Sequence, residues 1–461
     1  MRASSRLFVA VVALAIVAAA CGDDGGSTSA TTAATTATTA SSSATTASAT
    51  TAASTATSAG STATTAAGGD ILGTPNAAKG DPVKIGFFDD GKSPAVDNSD
   101  DFVVAEATVK YLNAYGGGIA GRPIELVHCI GLDDGAIATD CGNKFAEAKV
   151  NAALLSTSGR SGELYDAVSA AGIPFICGGC SVERQSSDAK ASFLLVNGLA
   201  GSLGFPAAYA AGNNIKSITS LVIGMPAAVD PMVLAQAASK AKGITHEVVS
   251  IPPGTPDMIP QVTAALAKKP EMISIVGDPT FCLTAITALN ELSYKGVIQT
   301  ADYCVNAETW EPIPADVKTK VVVGASVAMG LPAGSNKDWD LYQAIMKKYA
   351  SKEPIVSGVR GWAYQTVWAL YLGTKGGGIT ATDITPASVA AAMKKAPAQP
   401  LPLAYGITFK CDGKAFPAGP AYCTTGALQT TLDKDGNFAT FKAVDTSESL
   451  KAIADFLTQG K

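Results

Sequence analysis

The chain has 461 residues, 47% of them apolar, and a formal net charge of −5. That length is too great for one ordinary domain and suits two. The mild acidity and the lack of a Lys/Arg stripe exclude a nucleic-acid footprint. The two histidines, His128 and His246, stand too far apart to read as a metal motif, and each is read as a strand residue.

The amino terminus carries Arg2 and Arg6 and then an apolar run from Leu7 to Ala20. This is the pattern of a secretory signal, too short and wrongly flanked for a membrane span. It ends in Ala18-Ala19-Ala20-Cys21, which resembles a bacterial lipobox with Ala18 where leucine is usual. That resemblance implies cleavage before Cys21 and lipidation of its sulfur. Residues Ser27–Gly69 contain only Ala, Ser, Thr and Gly. Such a segment buries too little apolar surface to offset its chain entropy, so it is read as a flexible tether. Its rms span is on the order of 35–40 Å.

The folded part is expected from about Pro82. Val83–Phe88 is an apolar strand ending in Asp89-Asp90-Gly91. Asp101–Tyr115 has helical spacing at Val104, Thr108 and Leu112 and stops at Gly116-Gly117-Gly118. Strand Ile124–Cys129 and helix Thr139–Ala148 follow, with Asp140 as the expected cap. Ala152–Leu155 is an apolar run that stops at Ser156-Thr157-Ser158-Gly159-Arg160-Ser161. After a helix over Glu163–Ala170, a second run, Ile173–Ile176, stops at Cys177-Gly178-Gly179-Cys180-Ser181.

In open parallel α/β sheets, ligands bind outside the carboxyl ends of the strands. One such loop of small residues reads as an ordinary turn. Two successive strand ends dressed alike point to one wall of a small-molecule site.

Phe193–Asn197 leads into helix Leu199–Ala211. Strands Ser217–Ile223, Thr245–Ile251, Met272–Val276, Val297–Thr300 and Val321–Ala325 alternate with helices Pro231–Lys242, Ile259–Lys268 and Phe281–Leu292. The βαβα grammar thus appears twice, before and after about residue 197. Three helices then follow without strands: Lys337–Tyr349, Trp362–Thr374 and Pro386–Lys395. The tail offers β-like pieces at Gly406–Phe409, Gly426–Leu432 and Phe438–Lys442, with a hairpin turn at Asp433-Lys434-Asp435-Gly436.

This order resembles the extracytoplasmic solute-binding proteins of ABC importers, in the type I, branched-chain-amino-acid-binding group. The resemblance runs from Val83 to Lys442. It is carried by Val-Lys-Ile-Gly-Phe-Phe, by Tyr-Leu-Asn-Ala-Tyr-Gly-Gly-Gly-Ile-Ala-Gly-Arg-Pro-Ile-Glu-Leu, by Ala-Gly-Ile-Pro-Phe-Ile and by Leu-Asp-Lys-Asp-Gly-Asn-Phe. It implies an α/β fold of two doubly wound lobes joined by three crossings, with a ligand cleft between them. The crossings are expected near Asn197–Ser202, Ser326–Leu331 and Phe416–Gly426. The expected divisions are 1–20 signal peptide, 21–80 lipidated cysteine and tether, 81–199 with 329–420 as the first lobe, and 200–328 with 421–461 as the second. The implied role is a membrane-anchored extracytoplasmic receptor that hands an amino acid or similar solute to a permease, as a monomer and without cofactor or metal.

Carried onto this chain, the resemblance places Ser156, Thr157, Ser158, Ser161, Gly178, Gly179 and Ser181 against a ligand carboxylate. Small residues suit that task because backbone approaches an anion closely there. Arg160 departs from the family pattern; it can pair with a carboxylate or lie solvated at the surface, and the surface is preferred. Asp302 is placed against an α-ammonium, with Asp278 as second candidate. Helix capping and turn formation compete for both acids. Gly224-Met225-Pro226 lacks the aromatic often found in the family. Asp89, Asp90 and Ser93 are placed at the cleft mouth.

Eight cysteines remain besides Cys21. Local order pairs Cys129 with Cys141, Cys177 with Cys180, Cys282 with Cys304 and Cys411 with Cys423, and export makes disulfides the default. Two alternatives to a transport receptor stay open. One is a sensing head acting on a partner protein. The other is a thiol redox enzyme using Cys177 and Cys180, although that motif normally opens a helix in a thioredoxin fold.

Overall fold

The computed structural model describes residues 71–93, 97–180, 182–196, 199–305, 310–350 and 358–459. Cys21 and Ser181 lie outside the described residues, as do the signal and tether. The first lobe opens with β1 (Val83–Asp89), α1 (Asp100–Tyr111), β2 (Ile124–Ile130), α2 (Gly135–Glu147), β3 (Ala153–Leu155), α3 (Ser161–Ala170), β4 (Phe175–Cys177), α4 (Glu183–Ser186) and β5 (Ser192–Leu194). All five strands are parallel, in the order β2-β1-β3-β4-β5. β1 is buried almost throughout, as an apolar strand covered on both faces must be.

The second lobe holds α5 (Phe205–Gly212), β6 (Ser217–Ile223), α6 (Pro226–Val229), α7 (Met232–Ala241), β7 (Thr245–Ile251), α8 (Ile259–Leu266), β8 (Met272–Val276), α9 (Pro279–Glu291), β9 (Val297–Ala301), α10 (Ala315–Lys318) and β10 (Val321–Ala325). The chain then returns to the first lobe with α11 (Lys337–Tyr349), α12 (Gly358–Gly377), α13 (Pro386–Lys395) and the short pair β11 (Gln399–Pro400) and β12 (Thr408–Phe409). It ends in the second lobe with β13 (Gly426–Leu432), β14 (Phe438–Asp445) and α14 (Ser447–Gln459). The second sheet runs β14-β13-β10-β9-β8-β6-β7, with β13 antiparallel to both β10 and β14.

Both sheets therefore reverse direction of growth beside their first strand. The switch points lie between β1 and β3 and between β6 and β8. At a switch point the connections leave to opposite faces, and a crevice opens at the carboxyl ends of the strands. The fold thus places a crevice in each lobe before any side chain is considered.

The two lobes of doubly wound α/β are as expected from sequence, with differences of detail. α2 begins at Gly135 and is capped by Asp134, whose carboxylate accepts from Ala136 N and Ile137 N. The expected cap, Asp140, lies inside the helix; a glycine at the first helical position had hidden the true start. The expected helix 199–211 is a π-helical turn over Leu199–Gly204 followed by α5, where Pro206 enters the first turn without an N–H to leave unpaired. The terminal helix α14 was not anticipated. It buries Leu450, Ile453 and Ala454 and packs on α7.

Residues 421–423 lie along the edge of the first sheet: Leu194 N donates to Ala421 O and Cys423 N donates to Leu194 O, each at 2.9 Å. The chain therefore stays with the first sheet through Cys423, inside the stretch Phe416–Gly426 where the third crossing is expected. Among the described residues, no helix is long and apolar enough to cross a membrane.

His246 on β7 sits inside the second lobe, with Ser220 Oγ 2.8 Å from its Nε2 and Ser239 Oγ 2.8 Å from its Nδ1. A neutral ring satisfies both contacts, since one nitrogen donates and the other accepts. Burial pushes the imidazole down from its ordinary value to about 4. Because the folded value lies below the unfolded one, the resulting stability is complete above the unfolded pKa and is lost as pH falls toward the folded one. Urea unfolding at about pH 7 and about pH 4 should show His246→Gln losing roughly 3 kcal/mol less stability on acidification than the parent.

Candidate functional site

The first-lobe crevice is built from the loops after β1 and β3. Asp89 and Asp90 end β1, and both are almost completely buried. Asp89 Oδ1 accepts from Gly91 N at 2.6 Å, while its Oδ2 lies 2.6 Å from His128 Nε2 at the end of β2. That imidazole stacks on Phe102, with ring centroids 3.7 Å apart. Asp90 accepts from Ser158 Oγ at 2.9 Å. Burial raises the Asp90 carboxyl to about 6 despite that bond. Ser93 lies half-buried in the same loop.

Beneath these loops lies an ion pair that sequence reasoning missed. Asp101, fully buried in the first turn of α1, meets Arg360 Nη1 of α12 at 3.0 Å. Its second oxygen accepts from Ser156 Oγ. Arg360 also donates to Asn98 Oδ1 at 2.9 Å and to Asp97 O. Burial lifts the Asp101 carboxyl to about 7, with Arg360 and then Ser156 pulling it back down.

The small residues expected to face a ligand are thus largely committed to the protein. Ser156 donates to Asp101, Ser158 to Asp90, and Thr157 Oγ1 to Gly179 O at 3.2 Å. Gly178 N donates to Leu155 O at 3.0 Å and Gly179 N to Ser156 O at 2.7 Å. Ser161 is buried in the first turn of α3, where its carbonyl accepts from Gln185 Nε2. Arg160 Nε binds Asp133 through its carbonyl at 2.8 Å and its carboxylate at 3.0 Å, at the lobe surface.

The reason for the glycine pair is steric. A Cβ on Gly179 would stand 2.3 Å from the Trp362 ring and one on Gly178 2.5 Å from Trp362 Cβ. No real side chain fits there, so the indole of α12 rests on bare backbone.

In the second lobe, Asp278 caps α9, accepting from Phe281 N at 2.9 Å. Asp302 follows β9 directly and opens a 3-10 turn. Its carboxylate is desolvated and pushed up to about 6, with main-chain N–H groups of Ser326, Tyr303 and Asp302 itself opposing that rise. Among the described residues, no cationic side chain is paired with it. Met225 is exposed at the end of β6.

The two candidate walls are joined through Trp362. Its Nε1 donates to Ser326 Oγ at 3.0 Å. Ser326 follows β10, where the chain leaves the second lobe. Trp362 itself has a sequence signature no different from that of a core helix residue.

The four disulfides are those expected: Cys129–Cys141, Cys177–Cys180, Cys282–Cys304 and Cys411–Cys423. Cys177–Cys180 brackets the glycine pair, and Cys282–Cys304 ties the Asp302 turn to α9. Among the described residues, no group of three His, Cys, Asp or Glu is placed to hold a metal.

Removing one partner of a buried ion pair strands the other charge. Arg360→Met should destabilise the folded head by about 3–5 kcal/mol in denaturant unfolding. Adding Asp101→Asn should recover much of that loss, because the stranded carboxylate is then gone.

The periplasmic binding protein family profile matches residues 82–426. A comparison with curated proteins finds no match. Among solved structures, the branched-chain amino acid transporter substrate-binding protein of Streptococcus pneumoniae, in complex with isoleucine, is 17% identical, with a TM-score of 0.56 over 79% of this chain and 99% of that one. A leucine-binding protein from Thermotoga maritima is 14% identical, with a TM-score of 0.55 over 79% of this chain and 99% of that one. A fatty acid ABC transporter substrate-binding protein from Thermomonospora curvata is 13% identical, with a TM-score of 0.58 over 81% of this chain and 96% of that one. At such identities the likeness is one of fold. With its two switch-point crevices, its three crossings and a family match over most of the folded head, the chain belongs to the periplasmic binding protein family and has the type I fold.

Proposed function

We propose that this solute-binding protein is a lipid-anchored extracytoplasmic receptor that captures an amino acid or a similar small polar solute between its lobes and delivers it to an ABC importer. The observation that carries this reading is the placement of Asp302. It is a half-buried carboxylate directly after β9, on the turn that Cys282–Cys304 ties to α9, with no cation paired to it among the described residues. A carboxylate so held suits an ammonium group, whose arrival restores the charge that desolvation disfavours. The isoleucine-bound and leucine-binding relatives support an amino acid; the fatty acid relative marks how far solute type ranges on this fold.

On the first lobe the proposed contacts are Ser156, Thr157, Ser158, Ser161, Gly178, Gly179 and Ser181. Of the three hydroxyls in the loop after β3, that of Thr157 is the most loosely held. Its bond to Gly179 is the longest of the three in its loop, and its acceptor is a neutral carbonyl where Ser156 and Ser158 serve carboxylates. Asp278 is the weaker second-lobe contact, since its carboxylate is already engaged as a cap.

A thermal-shift screen of amino acids, amides, urea and small organic acids identifies the solute class. With an amino acid that binds, Asp302→Ala should weaken affinity by about 2–5 kcal/mol in isothermal titration, because the ammonium loses its partner in a desolvated site. Parent-like affinity in that variant would mean that the solute has no ammonium or that Asp302 does not meet it.

The anchor rests on Ala18-Ala19-Ala20-Cys21 followed by the Ala/Ser/Thr tether. Lipidation supplies two acyl chains at once, enough for stable attachment. Cys21→Ser should move the head from the membrane fraction to the medium, which fractionation and immunoblotting would read directly.

A further inference from the structure

We propose that Met225 is a modification site: hydroperoxides oxidise its thioether to the sulfoxide, and the change weakens capture of a solute with an apolar side chain. The second half rests on the reading of the cleft as an amino-acid site and adds the group that meets the solute's side chain.

The sulfur atoms of the described residues fall into three sets. Eight cysteine sulfurs are closed in four disulfides, so no thiol among them competes for an oxidant. Six methionines, Met232, Met258, Met272, Met329, Met346 and Met393, are 4% exposed or less. The sulfurs of Met329 and Met393 lie against Gly361 and Gly373, where an added Cβ would stand 2.8 and 2.3 Å from them. Met225 is 48% exposed. An oxidant arriving from solvent therefore meets one open thioether among the described residues.

That thioether is presented from a fixed base. Gly224 N donates to Ile251 O and Met225 N to Ile223 O, each at 2.7 Å. The Met225 carbonyl accepts from Ala228 N and Val229 N, each at 2.9 Å. A Cβ on Gly224 would crowd Ile251 O and Ser250 Oγ at 3.1 Å, so the preceding residue offers no cover. The place also matters. Met225 ends β6, beside the switch point of the second sheet, where a crevice opens. β6, β8 and β9 are parallel, so Met225, Asp278 and Asp302 all lie at the same end of that sheet. The two carboxylates serve a solute's charge. An adaptable, apolar thioether suits the side chain that remains.

The step is an oxygen transfer. The sulfur lone pair attacks one oxygen of hydrogen peroxide; an S–O bond forms and the O–O bond breaks. The proton on the transferred oxygen passes to the departing hydroxide, which leaves as water. Sulfur loses two electrons and the peroxide gains them. The product is polar where an apolar surface stood.

The test treats the full chain with hydrogen peroxide and maps the seven methionines by peptide mass. One added oxygen should appear first at Met225. A buried methionine that oxidises as fast overturns the modification site. Isothermal titration with leucine then compares the parent before and after peroxide. Affinity should fall roughly tenfold, the scale of losing an apolar contact. Met225→Leu, with no sulfur there, should titrate alike before and after treatment. Met225→Gln should bind leucine as weakly as the oxidised parent, and bound leucine should slow oxidation at Met225. Unchanged affinity in the oxidised parent, or an equal loss in treated Met225→Leu, overturns the effect on capture. Leucine that fails to bind even the untreated parent overturns an apolar amino acid as the solute, and with it the second half of the proposal, while the mass map still decides the modification site.

Discussion

The buried pair of Asp101 and Arg360 is the interaction on which the rest of the site depends. It joins the first turn of α1 to the first turns of α12, and through Ser156 it reaches the end of β3. Those elements also share one apolar core, with Val104 and Ala105 of α1, Leu154 of β3 and Ala363 and Val367 of α12 in it, and the pair adds a polar fixed point to that packing. A buried pair is weak evidence of net stability, because desolvation of two charges offsets their attraction. Its value here is geometric. A guanidinium held by three acceptors allows one placement of α12, and that placement lays Trp362 across the glycine pair.

This dependence explains what sequence could and could not reveal. The strands were legible because a parallel strand covered on both faces is a nearly unbroken apolar run, as in Val83–Phe88 and Ser217–Ile223. Strand-end loops were legible because the crevice of a doubly wound sheet has a fixed address. Disulfides were legible because each pairs neighbours in the order of the chain. Asp101 and Arg360 were not, since each reads alone as an ordinary charge in a helix's first turn. Trp362 was hidden for a related reason: at helical spacing an aromatic looks like core. The shelf beneath it was visible as two glycines, but a glycine pair does not announce whether it makes room for an anion or for a ring.

That distinction changes the chemistry of the first wall. A glycine loop at a strand end suggests free main-chain donors converging on an anion. Here the N–H groups of Gly178 and Gly179 are spent on Leu155 and Ser156, and the hydroxyls of Ser156 and Ser158 on aspartates. The wall is preorganised, but much of its donor capacity is turned inward. Its inner face is also rich in carboxyls that burial has made reluctant to ionise, Asp90 and Asp101 among them. A solute that entered against this wall, as proposed, would meet a surface already satisfied, and selectivity there would come from shape and from the few groups able to turn outward.

The second wall is the complement. Asp302 stands desolvated with main-chain partners and no paired cation among the described residues, so it is the group with most to gain from a positively charged or donor-bearing solute. A solute can drive closure only by its difference in affinity for the open and closed states. A group already satisfied in both states contributes little to that difference, and a group satisfied only when a solute arrives contributes much. In the proposed reading, the driving force for closure is therefore concentrated at Asp302. Ser326, where the chain leaves the second lobe, accepts from the first lobe's indole at 3.0 Å. The disulfides lie within single lobes, bracing the shelf and the Asp302 turn while leaving the crossings unbraced. Stiff walls with a passage free of disulfides between them would let a local gain at the proposed solute contact become a movement of one lobe against the other.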